Sequence, residues 1–203
     1  MRTLAAAVLV VSASVLAACG APKPAACCAG AGAKHADAFA TPVLPGGLRV
    51  SSPTTKDGVF GANEVFSGFG CTGLNKSPGL AWEGAPASTK SYAIVAHDPD
   101  APTGTGWYHW LVYNLPAGTT SLPMGASGAL PAGAKEAFTD FGKVGYGGPC
   151  PPPGPEHRYN FTVYALDVPA LELDPSTTTG ALLRFQLTAH TVASGTWTGR
   201  YKR

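Results

Sequence analysis

Short apolar runs alternate with turn formers from residue 43 to the end of the chain. Residues 91–97, Ser-Tyr-Ala-Ile-Val-Ala-His, form one run, stopped by Asp98-Pro99-Asp100-Ala101-Pro102. Residues 107–114 form a second, stopped by Leu115-Pro116-Ala117-Gly118. Residues 158–166 form a third, in which Tyr159, Phe161, Val163 and Ala165 alternate with more polar neighbours. Such runs between Pro/Gly clusters read as strands. Residues 47–51 and 196–202 are weaker strand candidates. One helix is expected from Thr179 to about Val192. Leu182, Leu183, Phe185 and Leu187 supply its apolar mass, residues 176–179 its cap and Gly195 its stop. Several strands, one late helix and long Pro/Gly loops predict a mainly β fold, an antiparallel sandwich with a small C-terminal helical element. No repeat or second hydrophobic block argues for a further domain, so the folded domain is taken as 43–203.

The first residues carry a different pattern. Arg2 precedes a short apolar stretch that ends in Leu16-Ala17-Ala18-Cys19-Gly20. A charged start, a greasy middle and small residues before a cut are the anatomy of a secretory signal peptide, here 1–18. The stretch falls short of the roughly 20 apolar residues that span a bilayer. Leu-Ala-Ala-Cys resembles the lipobox of bacterial lipoproteins, which implies that Cys19 is lipidated and becomes the first mature residue. Residues 19–42 are rich in Ala, Gly and Pro and read as a flexible tether, too poor in large apolar groups to offset their ordering entropy. The expected location is the cell envelope, membrane-held through the lipid anchor. Gly20 after the cysteine points to the outer membrane where the source has one. Cys27 and Cys28 in the tether have no assigned role, and His35 and Asp37 lack a scaffold.

Composition narrows the partners. Only 13% of the 203 residues are charged and the formal net charge is +2. No basic cluster is denser than Tyr201-Lys202-Arg203, so nothing suggests a nucleic-acid partner. The 26 glycines lack the three-residue period of collagen. Export favours pairing of thiols. Cys71 and Cys150, each in a glycine- or proline-rich turn, are expected to form a disulfide closing a loop of about 80 residues.

The chemistry gathers at strand ends. By two-residue alternation Asp98 shares a face with Tyr92 and Ile94, His109 with Trp107, Leu111 and Tyr113, and His157 with Tyr159, Phe161 and Val163. A carboxylate and two histidines at apolar strand ends must pair to be buried. Two imidazole N–H donors, the backbone N–H groups of Gly147 and Gly148 and a tyrosine hydroxyl would suit an oxyanion. Lys143 and Arg158 are candidates for extra positive potential.

The same residues carry a resemblance. His97-Asp98-Pro99-Asp100-Ala101-Pro102, Gly106-Trp107-Tyr108-His109-Trp110 and Gly148-Pro149-Cys150-Pro151-Pro152, leading to His157-Arg158-Tyr159, resemble the signatures of the phosphatidylethanolamine-binding protein (PEBP) family, in its order. They are most similar to its bacterial, Raf-kinase-inhibitor-like branch. Ser77-Pro78-Gly79-Leu80-Ala81-Trp82 and Ala193-Ser194-Gly195-Thr196 also fit that branch. The resemblance covers about residues 46–203. It implies a Greek-key β-sandwich with a pocket for phosphate-like anions, including phospholipid head groups. It assigns ligand binding to Asp98, His109, His157 and Tyr159, with Pro102, Gly148 and Pro149 as wall and Asp100 orienting the loop. The proline run at 151–153 departs from the animal members, whose kinase-inhibitory and lipid-transfer roles are not carried over.

Other readings remain open. An Asp/His pocket invites acid–base catalysis, for instance hydrolysis, but no G-x-S-x-G elbow accompanies it and a paired cysteine is no nucleophile. The enzyme question stays open, with catalysis the less favoured reading. No short-spaced His pair supports a metal, and no cofactor is implied. An exposed pocket rim also suits a module that binds or inhibits an unidentified protein.

Overall fold

The computed structural model describes residues 47–203. Cys19, the tether, Cys27, Cys28, His35 and Asp37 lie outside them.

The three apolar runs become three of the four long strands, each slightly longer than expected. β5 is Ser91–Asp98, β6 is Trp107–Pro116 and β9 is His157–Leu166. Before them come β1 (Arg49–Ser51), a 3-10 turn (Lys56–Gly58), the hairpin β2 (Ser67–Gly68) and β3 (Cys71–Thr72), and β4 (Leu80–Glu83). β7 (Ser121–Leu122) and β8 (Lys135–Glu136) lie between β6 and β9, and α1 (Gly180–His190) and β10 (Thr191–Tyr201) close the chain. The large sheet has the order β10-β9-β5-β6-β8, and the named strand pairs are antiparallel. Within it β9 returns to lie beside β5, so β9-β5-β6-β8 has the four-one-two-three order of a Greek key. A second sheet has the order β1-β4-β7.

The large sheet is covered on both faces. Tyr92, Ile94, Ala96, Trp110, Val112, Phe161 and Val163 pack with Leu80, Trp82 and Leu122 of the smaller sheet. Ala93, Val95, Leu111, Tyr113 and Tyr164 pack with Leu183 and Leu187 of α1. This explains why residues 91–97 read as a continuous apolar run: a strand buried on both faces has no polar phase. Each large apolar side chain so buried contributes about 1.5–3 kcal/mol.

α1 begins as expected, with the Thr179 side chain accepting from the Leu182 backbone N–H at 3.3 Å. Its end is different. The chain passes from His190 directly into β10, and Gly195 lies within that strand. Gly195 is needed for close approach: a Cβ there would sit 2.0 Å from the Leu48 carbonyl oxygen, beside the Leu48 N–H to Ser194 O bond. β10 therefore starts five residues earlier than the apolar pattern alone suggests.

Candidate functional site

The antiparallel register of β5 and β9 brings the last residues of one strand beside the first of the other, with His97 opposite Asn160. Asp98 and His157 therefore meet, and Asp98 Oδ2 lies 2.8 Å from His157 Nδ1, both side chains buried. The other carboxylate oxygen accepts the backbone N–H groups of Asp100 (2.8 Å) and Ala101 (3.1 Å). Charge-assisted bonds from three donors offset the cost of burying Asp98. With His157 Nδ1 given to Asp98, Nε2 is the ring's remaining polar atom. Tyr159, two residues on, shares its face. Its hydroxyl is buried and has no hydrogen-bond partner among the described residues. Burial first, and then the negative charges of Asp98 and Asp100, push that hydroxyl far above the ordinary phenol range.

His109 reaches the same place by an irregularity. Ala96 pairs with Trp110 and His97 with Tyr108, so His109 is the extra residue of a β-bulge. The bulge breaks the alternation. Leu111 and Tyr113 pack toward α1, whereas His109 packs edge-on against Tyr159 with ring centroids 5.0 Å apart. The expected grouping of His109 with Leu111 and Tyr113 is thus corrected. Its Nδ1 lies 2.7 Å from the Gly147 carbonyl oxygen. Burial pulls its pKa down to about 4, against the opposing pull of the Gly147 carbonyl and Asp98. The ring is neutral at pH 7 and its Nδ1–H is spent on Gly147 O, so the expected imidazole N–H donor to a ligand is lost at this position.

Asp98, His109, His157 and Tyr159 line a cavity of about 370 Å³. Its wall is apolar: Pro102, Trp107, Phe141 and the prolines 151–153. The remaining sequence candidates lie behind it. Asp100 binds the Arg158 guanidinium at 2.7 and 2.9 Å and the Arg158 backbone N–H at 2.8 Å, which lowers its carboxyl pKa to about 2. It ties the 98–102 loop to β9. Gly148 and Pro149 do not line the cavity. A Cβ on Gly148 would sit 1.9 Å from the Glu64 carbonyl oxygen, and Pro149 O accepts the Phe66 N–H at 3.1 Å. The Gly147 and Gly148 N–H groups are already bonded to His109 O (2.9 Å) and Asn75 Oδ1 (2.7 Å). They are not free donors for an anion, because buried backbone groups find partners within the fold. Arg158 is held by Asp100, and Lys143 Nζ lies 5.4 Å from the centre of the Phe66 ring. Neither lines the cavity.

Sequence reasoning missed most of the mouth. Phe69 and Gly70 form the tip of the β2–β3 hairpin, with φ of 55° and 86°. Phe69 is 66% exposed and its ring contacts Phe66 and Phe141 at 5.2 and 5.9 Å. Arg203 Nη1 donates to Phe69 O at 2.8 Å and supplies a cation at the rim. Its position in the basic chain end was visible, but its place at the cavity was not. The expected Cys71–Cys150 disulfide is present, with Cα atoms 6.0 Å apart, and ties the hairpin to the proline wall. Among the described residues no three His, Cys, Asp or Glu side chains are arranged to hold a metal ion.

Comparison with known proteins agrees with this architecture. The profile of the phosphatidylethanolamine-binding protein family matches residues 55–202. UPF0098 protein YbhB of Escherichia coli is 49% identical over 140 residues, covering 68% of this chain and 88% of that protein. The crystal structure of E. coli YbcL, described as a new member of the mammalian PEBP family, superposes with a TM-score of 0.74 at 45% identity, over 77% of this chain and 98% of YbcL. LppC of Mycobacterium tuberculosis, provisionally named a lipoprotein, is 39% identical over 132 residues, covering 64% of this chain and 61% of LppC.

Proposed function

The chain belongs to the phosphatidylethanolamine-binding protein family, and from that premise we propose that it is an exported, lipid-anchored binding protein of the cell envelope. Its cavity takes the phosphate-bearing part of a small anionic ligand or phospholipid head group. The observation that carries this reading is the Tyr159 hydroxyl, buried at the cavity and without a partner. Such an orphan costs about 1–3 kcal/mol, and a ligand oxyanion restores the missing bond. His157 offers Nε2 beside it, its ring oriented by the Nδ1 contact with Asp98. Pro102, Trp107 and the proline wall limit water around these groups. Asp100, Gly148 and Pro149 support the site from behind. Cys19 and the tether at 19–42 hold the domain at the membrane, in line with the lipoprotein name of LppC.

Calorimetric titration of the intact protein with inorganic phosphate and phosphoethanolamine tests the site. Saturable binding is expected, weakened about tenfold or more by Tyr159→Phe. That variant should fold with unchanged or slightly higher stability, since it removes the orphan group. No saturable heat from either probe would sink the reading. For the anchor, Cys19→Ser should release the protein from the membrane fraction, and unchanged association would refute it.

A further inference from the structure

We propose that His109 acts in this cavity as a hydrogen-bond acceptor, so that the site admits an oxyanion only if the ligand also brings its own hydrogen-bond donor. The singly protonated phosphate monoester fits this with one group. The inference rests on the reading above of the cavity as a phosphate site.

The argument begins with the Nδ1 contact. A backbone carbonyl has no proton to give, so the 2.7 Å approach of His109 Nδ1 to Gly147 O requires the hydrogen on Nδ1. In the neutral ring Nε2 then carries a lone pair. A second proton would place a cation against the rings of Phe141 and Tyr159, at 5.2 and 5.0 Å. The one carboxylate in the cavity lining, Asp98, is already committed to His157 and two backbone N–H groups. Burial accordingly keeps the ring neutral at pH 7.

The charged and titratable groups around the ring come from each neighbouring element. β5 supplies Asp98, and also His97, whose ring is held by the Thr105 carbonyl at 2.9 Å. β9 supplies His157 and Tyr159, and the chain end supplies Arg203 at the rim. Tyr159 and Arg203 offer O–H and N–H groups to bare ligand oxygens, whereas His157 Nδ1 is committed to Asp98. His109 offers only a lone pair. A phosphate monoester, with a second pKa of about 6, presents bare oxygens and one P–O–H. A sulfate ester presents bare oxygens alone and sets a lone pair against Nε2. A phosphodiester also lacks the O–H, unless an ammonium on the same head group supplies an N–H instead. An oxyanion with an adjacent donor is therefore the shared chemistry of a free monoester and an ethanolamine head group.

The test is calorimetry of the intact protein with methyl phosphate, methyl sulfate, dimethyl phosphate and glycerophosphoethanolamine. At pH 6 methyl phosphate should bind roughly ten- to a hundredfold more tightly than methyl sulfate, the cost of an unmade buried hydrogen bond. At pH 7.5, where the free ester is largely dianionic, its binding should take up a proton, seen as a buffer-dependent heat. Methyl sulfate should take up none. Tight binding of glycerophosphoethanolamine but not dimethyl phosphate would assign the donor to the ammonium and the source to a lipid head group. His109→Phe should erase the phosphate preference. Methyl sulfate binding as tightly as methyl phosphate to the unaltered protein would overturn the proposal while leaving the anion site standing. Absence of binding by every probe would overturn both readings.

Discussion

Asp98, His109, His157 and Tyr159 stand on strands whose neighbours are set by the register of the large sheet, whereas Phe69, Phe141, prolines 151–153 and Arg203 come from a hairpin tip, loops and the last residue. The floor of the cavity is polar and buried. Asp98 and the Nδ1 atoms of both histidines are satisfied inside the fold, and the Tyr159 hydroxyl is a buried orphan. The mouth is apolar and partly exposed. It is held in place by a disulfide and by one guanidinium reaching a backbone carbonyl. The floor therefore depends on the cooperative stability of the sheet, and the mouth on a few cross-links between segments far apart in sequence.

Substitutions should separate the two. Asp98→Ala leaves His157 Nδ1 and two backbone N–H groups without their acceptor in a buried place. It should cost about 3–5 kcal/mol in urea unfolding, and a loss under 1 kcal/mol would mean that the floor is far looser than its geometry. Acid should act on the floor too. His109 has a folded pKa of about 4 against an ordinary value near 6.5. The unfolded chain binds the extra proton first, so this contribution is complete above pH 6.5 and is lost as pH falls toward 4. The loss is roughly 3 kcal/mol. Urea unfolding at pH 7 and pH 4.5 should show it, and His109→Gln should lack it.

The mouth should respond more weakly. Replacing both Cys71 and Cys150 with serine opens a loop of 79 residues in sequence separation, and should cost about 2–4 kcal/mol. Binding of methyl phosphate at the floor should survive this change. Collapse of binding in a still-folded double variant would show that the floor is not independent of the mouth. The smallest effect is expected at Phe69. Glycine relieves the left-handed backbone but forfeits the contacts with Phe66 and Phe141, so Phe69→Gly should change stability by less than about 1 kcal/mol.

Strands β5, β6 and β9, the Thr179 cap and the shared face of His157 and Tyr159 were readable because each follows from a local rule: apolar period, cap chemistry or two-residue alternation. Asp98 was placed well for the same reason, since its strand keeps phase from Tyr92 through Ala96. The family resemblance added the Greek key and brought the four floor residues together. β4 was not read as a strand, because four residues directly after Ser77-Pro78-Gly79 carry too short a pattern.

What the chain by itself determined was which segments are extended, which face most of their residues take, and which two cysteines of the folded domain would pair. The tertiary structure alone decided that a bulge opposite Ala96–His97 turns His109 away from the Leu111 face, that Gly148 and Pro149 brace residues 64–66 while prolines 151–153 form the wall, and that Arg203 closes the rim. The physical reason is common to all three. A strand's period is imposed by its own backbone. A bulge, a close approach or a guanidinium reaching a distant carbonyl is imposed by a partner remote in sequence.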